Sequence, residues 1–154
     1  MLLPIYGKLK LGDPIPAVTA TDQNGKPVNL AQAAQSGYTL VYFYPKAMTA
    51  GCTAQACSLR DAYSALQEKG VKVFGVSLDP VETQKQFEQK EHLPFELLSD
   101  TDRQVTSAFG VPLIKNAFAT RQAYLFKEGK LIWLDTKAST DKQAQDVLAV
   151  LASR

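Results

Sequence analysis

Tyr38-Thr39-Leu40-Val41-Tyr42-Phe43-Tyr44-Pro45-Lys46-Ala47-Met48-Thr49-Ala50-Gly51-Cys52-Thr53-Ala54-Gln55-Ala56-Cys57 holds an apolar run, a turn and the start of a helical pattern. The run 38–44 is aromatic and β-branched and stops at Pro45, which reads as a buried strand. Beyond the turn, Cys52, Ala56, Leu59, Tyr63 and Leu66 recur at 4-3-4-3 spacing, so one helix carries them on a single face. That helix is expected to end at Lys69-Gly70, a basic last turn followed by a C-cap glycine. Both cysteines of the chain, Cys52 and Cys57, fall in this stretch. A thiol in the first turn of a helix meets unpaired backbone N–H groups and the positive end of the helix dipole, which favour the thiolate. Any chemistry of the chain is expected to run through this turn.

Outward from this stretch, the pattern alternates between strands and helices. Residues 13–21 alternate weakly and lead to Asn24-Gly25, a strong hairpin-turn dipeptide, with Val28 to Leu30 as the return strand. Val71 to Leu78 reads as another apolar strand. Asp79 has the look of an N-cap, with Pro80 at the first helical position and Glu82 three residues after the cap, opening a helix to about Glu91. Leu93-Pro94 ends it. Phe95 to Leu98 is a short strand, and Asp102 to Phe109 a short helix stopped by Gly110. Ala123 to Phe126 and Leu131 to Leu134 flank a hairpin, and Thr140-Asp141-Lys142-Gln143 resembles a capping box for a last helix to about Ala152. This order predicts an α/β protein: a thioredoxin-like fold with a central mixed β-sheet flanked by helices and an N-terminal β-hairpin extension.

A chain of 154 residues is expected to form one domain, 1–154, with a core that needs neither disulfides nor metal. The 17 basic and 15 acidic residues are spread along the chain and leave a net charge of +2, with no footprint for nucleic acid or an anionic membrane. No apolar stretch approaches a membrane span. Met1 to Lys8 lacks a basic n-region and is broken by Pro4, so it does not read as a signal peptide, although a leader already removed would leave no trace. A cytoplasmic, reducing setting with functional thiols is therefore the expectation. Cys-x4-Cys is not a zinc-knuckle spacing, no second cysteine pair exists, and His92 is remote, so neither metal nor cofactor is expected.

On a regular helix, residues five apart are separated by about 7.5 Å along the axis and about 140° around it. With Cys52 on the apolar stripe, Cys57 points well away, beyond the roughly 7 Å Cα separation that an unstrained disulfide tolerates. The two can join only if the first helical turn unravels, and helix ends open most cheaply. Spacing alone leaves open a bland reading, a pair of inert cysteines in a helix of a binding or chaperone module. A thiol–disulfide exchange enzyme is disfavoured by the missing Cys-x-x-Cys. Arg121 at a strand start has its own bland reading as the partner of a surface carboxylate. Thr49 could be only a turn hydroxyl, and Pro45 only a strand terminator.

The context of the cysteines changes the balance. Pro45-x-x-x-Thr49-x-x-Cys52 resembles the peroxiredoxin signature Pro-x-x-x-Thr-x-x-Cys. The longer string Phe43-Tyr44-Pro45-Lys46 through Gly51-Cys52-Thr53, Gln55-Ala56-Cys57 and Leu59-Arg60-Asp61 is similar to the peroxiredoxin Q, or bacterioferritin comigratory protein, subgroup. Gly12-Asp13 with Pro16 resembles the family's opening, and Leu93-Pro94-Phe95-Glu96-Leu97-Leu98-Ser99-Asp100 its later strand. Arg121 stands where a family active-site arginine precedes a strand. Ala50 replaces the usual proline before Gly-Cys, and Ala47-Met48 replace a polar Asp-Asn, which implies a more flexible and more apolar approach loop.

The resemblance implies a thiol peroxidase acting on hydrogen peroxide and organic hydroperoxides. Cys52 would be the peroxidatic sulfur, oxidised to a sulfenic acid, and Cys57 the resolving one, which forms an intramolecular disulfide. Thr49, Pro45 and Arg121 would orient peroxide and shield the sulfur. Thioredoxin or a similar dithiol would be the reducing partner, and the protein a monomer.

Overall fold

The computed structural model describes residues 9–153. The Met1 to Lys8 segment therefore lies outside the described residues. In chain order the elements are β1 (Thr19–Asp22), β2 (Pro27–Asn29), α1 (Leu30–Ala33), β3 (Tyr38–Phe43), α2 (Ala50–Asp61), α3 (Tyr63–Glu68) and β4 (Val71–Ser77). They continue with α4 (Val81–Glu91), β5 (Glu96–Ser99), α5 (Gln104–Ala108), β6 (Leu113–Ile114), β7 (Phe118–Ala119), β8 (Gln122–Lys127), β9 (Lys130–Asp135) and α6 (Gln143–Ala152). Seven strands form one sheet in the order β2-β1-β5-β4-β3-β8-β9, and β6 with β7 makes a separate small ribbon. β3, β4 and β5 run parallel, while β8 and β9 are antiparallel additions on one side. The N-terminal hairpin adds to the opposite edge, with β1 antiparallel to β5. This is the mixed, helix-covered sheet that the alternation of strands and helices predicts.

β3 is unalternated in sequence because both of its faces are covered. Leu40, Tyr42 and Tyr44 enter one core, while Val41 and Phe43 enter the other. Strands β8, β4 and β5 divide in the same way: Leu125, Val73 and Leu97 lie on the first face, and Tyr124, Phe74 and Leu98 on the second. Leu59, Leu66, Phe87 and Val147 from α2, α3, α4 and α6 close the first core, together with Cys52. Leu30 of α1 and Val105 of α5 close the second.

Several boundaries differ from the sequence-based expectation. Leu30 is not in the return strand but opens α1, because Asn29 Oδ1 accepts from the Gln32 N–H at 3.0 Å and caps a helix there. The long helix is interrupted at Ala62, although Ala62 N–H still donates to Ser58 O at 3.2 Å and Leu66 N–H to Ala62 O at 3.0 Å. The helical hydrogen bonds thus run through the interruption, and no glycine or proline in the sequence marks it. Asp79 does not cap α4, and the Thr140 capping box does not form: Ser139 Oγ accepts from the Asp141 and Lys142 N–H groups, and α6 starts at Gln143.

Gly75, in the middle of β4, lies under the Tyr42 ring. A Cβ there would sit 2.9 Å from Tyr42 Cζ and from Leu97 Cδ2. Tyr42 is fully buried, so neither the ring nor the strand has room to yield. Gly75→Ala is expected to destabilise the fold by about 1–3 kcal/mol, measurable as a lower denaturant midpoint at an unchanged slope.

Candidate active site

The C-terminal end of β3 decides where the side chains gather. Phe43 pairs in register with Val76 of β4 on one side and with Gln122 of β8 on the other. The chain leaving β3, the chain leaving β4 and the chain entering β8 therefore meet at one end of the sheet. Pro45 begins the first of these connections, and Arg121 immediately precedes Gln122 in the last.

Thr49 is the N-cap residue of α2, so Cys52 lies in the first helical turn. Cys52 lies on the packed face and is 1% exposed. Thr49 makes no side-chain cap; its hydroxyl donates to the Lys46 carbonyl at 2.8 Å. Two consequences follow. The first-turn N–H groups remain uncapped, and the Thr49 oxygen, its proton committed, keeps lone pairs for accepting. Met48, just before it, is held at φ 66 and is partly exposed.

Arg121 reaches this turn with both terminal nitrogens. Nη2 donates to Cys52 Sγ at 3.4 Å, and Nη1 donates to Gln55 Oε1 at 2.6 Å. No carboxylate among the described residues forms an ion pair with it, so its charge is directed at the sulfur and not neutralised beside it. Gln55 is fully buried and passes the contact on, its Nε2 donating to Gln143 Oε1 on α6 at 2.8 Å. Gly51 keeps this approach open, since a Cβ there would stand 3.2 Å from Arg121 Nη2.

Cys57 faces elsewhere. It is half-buried against the end of α4, and its Sγ donates to Glu91 Oε1 at 3.5 Å. Arg60, one turn further along α2, donates from Nη1 to the Glu91 carbonyl at 2.7 Å. Burial pushes the Cys57 thiol up, Glu91 adds to this as acceptor and as charge, and Arg60 opposes it. Both cysteines are free thiols.

Of the five residues singled out in the sequence, Cys52 and Arg121 are brought into direct contact. Thr49 and Pro45 border the same loop, and Cys57 lies apart. Sequence reasoning missed Gln55, Gln143, Asp79 and Glu91 as neighbours of this region. Gln55 had a signal, three residues after Cys52 on the same helix. Gln143 had none. No group of three or more His, Cys, Asp or Glu among the described residues could hold a metal ion, and no helix among them is long and apolar enough to cross a membrane.

The AhpC/TSA family model matches residues 11–134, a span that holds both the buried Cys52 at the helix start and the Arg121 guanidinium that faces it. The chain belongs to the AhpC/TSA family. It is 52% identical to the peroxiredoxin Bcp of Escherichia coli K12 over 103 residues, covering 67% of this chain and 65% of that one. The chloroplastic peroxiredoxin Q of Sedum lineare is 36% identical, with 97% of this chain and 81% of the relative covered. Among solved structures, the bacterioferritin comigratory protein of Xanthomonas campestris superposes with a TM-score of 0.84 at 27% identity, covering 94% of this chain and 96% of that one. The chain spans just under two thirds of the length of the Bcp relatives it matches.

The contact between Cys57 and Glu91 gives a pH prediction for this member of the family. A carboxylate that accepts the S–H and sits beside the sulfur disfavours the thiolate, so Glu91→Gln should lower the Cys57 pKa. In a Cys52→Ser background, iodoacetamide labelling of Cys57 should then reach its midpoint at lower pH than with Glu91 present, because only the thiolate reacts. A midpoint that stays in place or rises would show that Glu91 does not hold the thiol protonated.

Proposed function

We propose that the chain is a thiol-dependent peroxidase of a single domain, in which Cys52 is oxidised by peroxide and Cys57 resolves the product. The observation that carries this reading is the Arg121 contact to a buried Cys52 sulfur in an uncapped first helical turn. In the first step the Cys52 sulfur attacks one peroxide oxygen in line with the O–O bond. That bond breaks, the sulfur takes one oxygen as a sulfenic acid, and the other leaves as water or an alcohol after taking up a proton. Negative charge develops on the oxygens during attack. Fixed donors that face them, the Arg121 guanidinium and the first-turn N–H groups, stabilise the transition state more than the ground state. Thr49, as an acceptor, suits the peroxide O–H, and Pro45 bounds the loop that keeps water from the sulfur.

Cys57 then attacks the sulfenic sulfur, a disulfide forms and water leaves. Because Cys57 sits five residues along α2 and is bonded to Glu91, this step requires the first turns of α2 to open. Thioredoxin or a similar dithiol restores both thiols by exchange, and a reducing compartment such as the cytoplasm keeps the pair ready. Both sulfurs belong to one chain, so the cycle needs no second copy and suits a monomer. Hydrogen peroxide and organic hydroperoxides are the proposed substrates, and alkyl peroxide reduction by the Xanthomonas relative supports the second class.

A thioredoxin-coupled assay comparing hydrogen peroxide with bulky organic hydroperoxides tests the reading, and no consumption of any peroxide would overturn it. Cys52→Ser is expected to abolish turnover. Cys57→Ser is expected to consume about one equivalent of peroxide and then stall. Sustained turnover of Cys57→Ser with thioredoxin would remove Cys57 from its resolving role.

A further inference from the structure

Residues 45–49 form a loop whose shape is not self-evident from its sequence. Met48 adopts φ 66, a conformation that a non-glycine residue keeps only when its surroundings impose it. The internal hydrogen bond from Thr49 Oγ1 to the Lys46 carbonyl closes the loop on itself but does not anchor it to the fold. Ala47 packs its side chain in the first core, and the polar anchor comes from the parallel neighbour. Tyr44 N–H donates to Val76 O at 3.0 Å, so the chain leaves β3 and β4 side by side. Two residues past β4, Asp79 Oδ2 accepts from the Ala47 N–H at 2.8 Å.

Asp79 occupies a position from which a side chain could cap α4, yet it makes no cap bond there. Its carboxylate instead receives the Ser77 hydroxyl at 2.6 Å as well as the Ala47 N–H. Ser77 Oγ accepts from Gln84 Nε2 at 2.9 Å, and Gln84 Oε1 accepts from the Tyr44 hydroxyl at 2.6 Å. Gln84 Nε2 also donates to Leu98 O at 2.9 Å, and Ser99 Oγ donates to the Asp79 carbonyl at 2.5 Å. Ser77, Gln84 and Tyr44 are buried, so this chain of bonds is rigid. It holds the loop at Tyr44, just before Pro45, and again at Ala47, just before Met48.

We propose that Asp79 is the positioning residue of the peroxide-binding loop, acting through the Ala47 backbone to hold Met48 left-handed and Thr49 in place beside Cys52. The proposal rests on the peroxidase reading above. A bond from a carboxylate to a backbone N–H is charge-assisted and stronger than a neutral one, which suits a link that must hold a strained residue. Without it, the Ala47 N–H loses its acceptor, Met48 relaxes and the Thr49 hydroxyl loses its fixed direction, although the Thr49 carbonyl still accepts from the Thr53 N–H at 2.8 Å. Cys52 stands on α2 and Arg121 immediately before β8, and neither is among the hydrogen-bond partners of Asp79.

The test separates those two groups of residues. In a Cys57→Ser background, single-turnover oxidation of Cys52 by hydrogen peroxide is compared with its alkylation by iodoacetamide, which needs the sulfur but not Thr49. Asp79→Ala should slow the peroxide reaction by about tenfold or more while alkylation stays within about twofold. Asp79→Asn keeps an oxygen acceptor without its charge and should fall between, about threefold slower with peroxide. If Asp79→Ala does not fold, Asp79→Asn decides alone. An unchanged ratio of the two rates in either folded variant overturns the proposal, and so does an equal fall in both rates. A protein with Asp79 intact that fails to react with peroxide would sink the peroxidase reading instead, which keeps the two failures apart.

Discussion

Hydrogen bonding binds β3 on both sides, to β4 in parallel and to β8 in the opposite direction, and the two registers coincide at Phe43. A slip of one residue in either pairing would move every side chain of that strand to the other face. The two cores prevent it, because Leu40, Tyr42 and Tyr44 fit the helix-covered side that holds Cys52, and Val41 and Phe43 fit the other. That the connections carrying Pro45, Asp79 and Arg121 meet at one end of the sheet follows from this alignment. The chemistry of the turn depends on strand pairing more than on any residue within the turn.

Most of the polar groups around that turn bond to one another. Arg121 has no ion pair among the described residues but shares a hydrogen-bonded row with Gln55 and Gln143. Neutral amides orient the guanidinium without cancelling its charge, whereas a carboxylate in the same place would draw the field away from the sulfur. The row ends at Gln143 Nε2, which is buried and finds no partner. On the other side, Asp79 directs its charge to a backbone N–H and a hydroxyl.

Much of this was legible in the sequence where local chemistry decides. The aromatic run 38–44, Asn24-Gly25, Gly70 and Gly110 each state a local preference that the fold keeps, and the Pro-x-x-x-Thr-x-x-Cys string singled out the turn. What escaped is decided by partners far along the chain. Asp79 looks like a cap by its neighbours Pro80 and Glu82, but the loop 32 residues earlier competes for its carboxylate and wins. Gln143 reads as the last position of a capping box, yet its side chain turns inward to an amide 88 residues away. The interruption at Ala62 has no breaker residue to announce it, and the helical hydrogen bonds pass through it.

Gln55 lies between the two sulfurs in the chain, and its amide is bonded to Arg121 on one side and Gln143 on the other. Any opening of α2 that brings Cys57 toward Cys52 must draw Gln55 out of that row. The buried Gln143 amide and the half-buried guanidinium then lose their shared partner, a state that favours return. Winding the helix, seating Gln55 and aiming Arg121 at the sulfur are therefore one event, so the open turn is spring-loaded toward its starting shape.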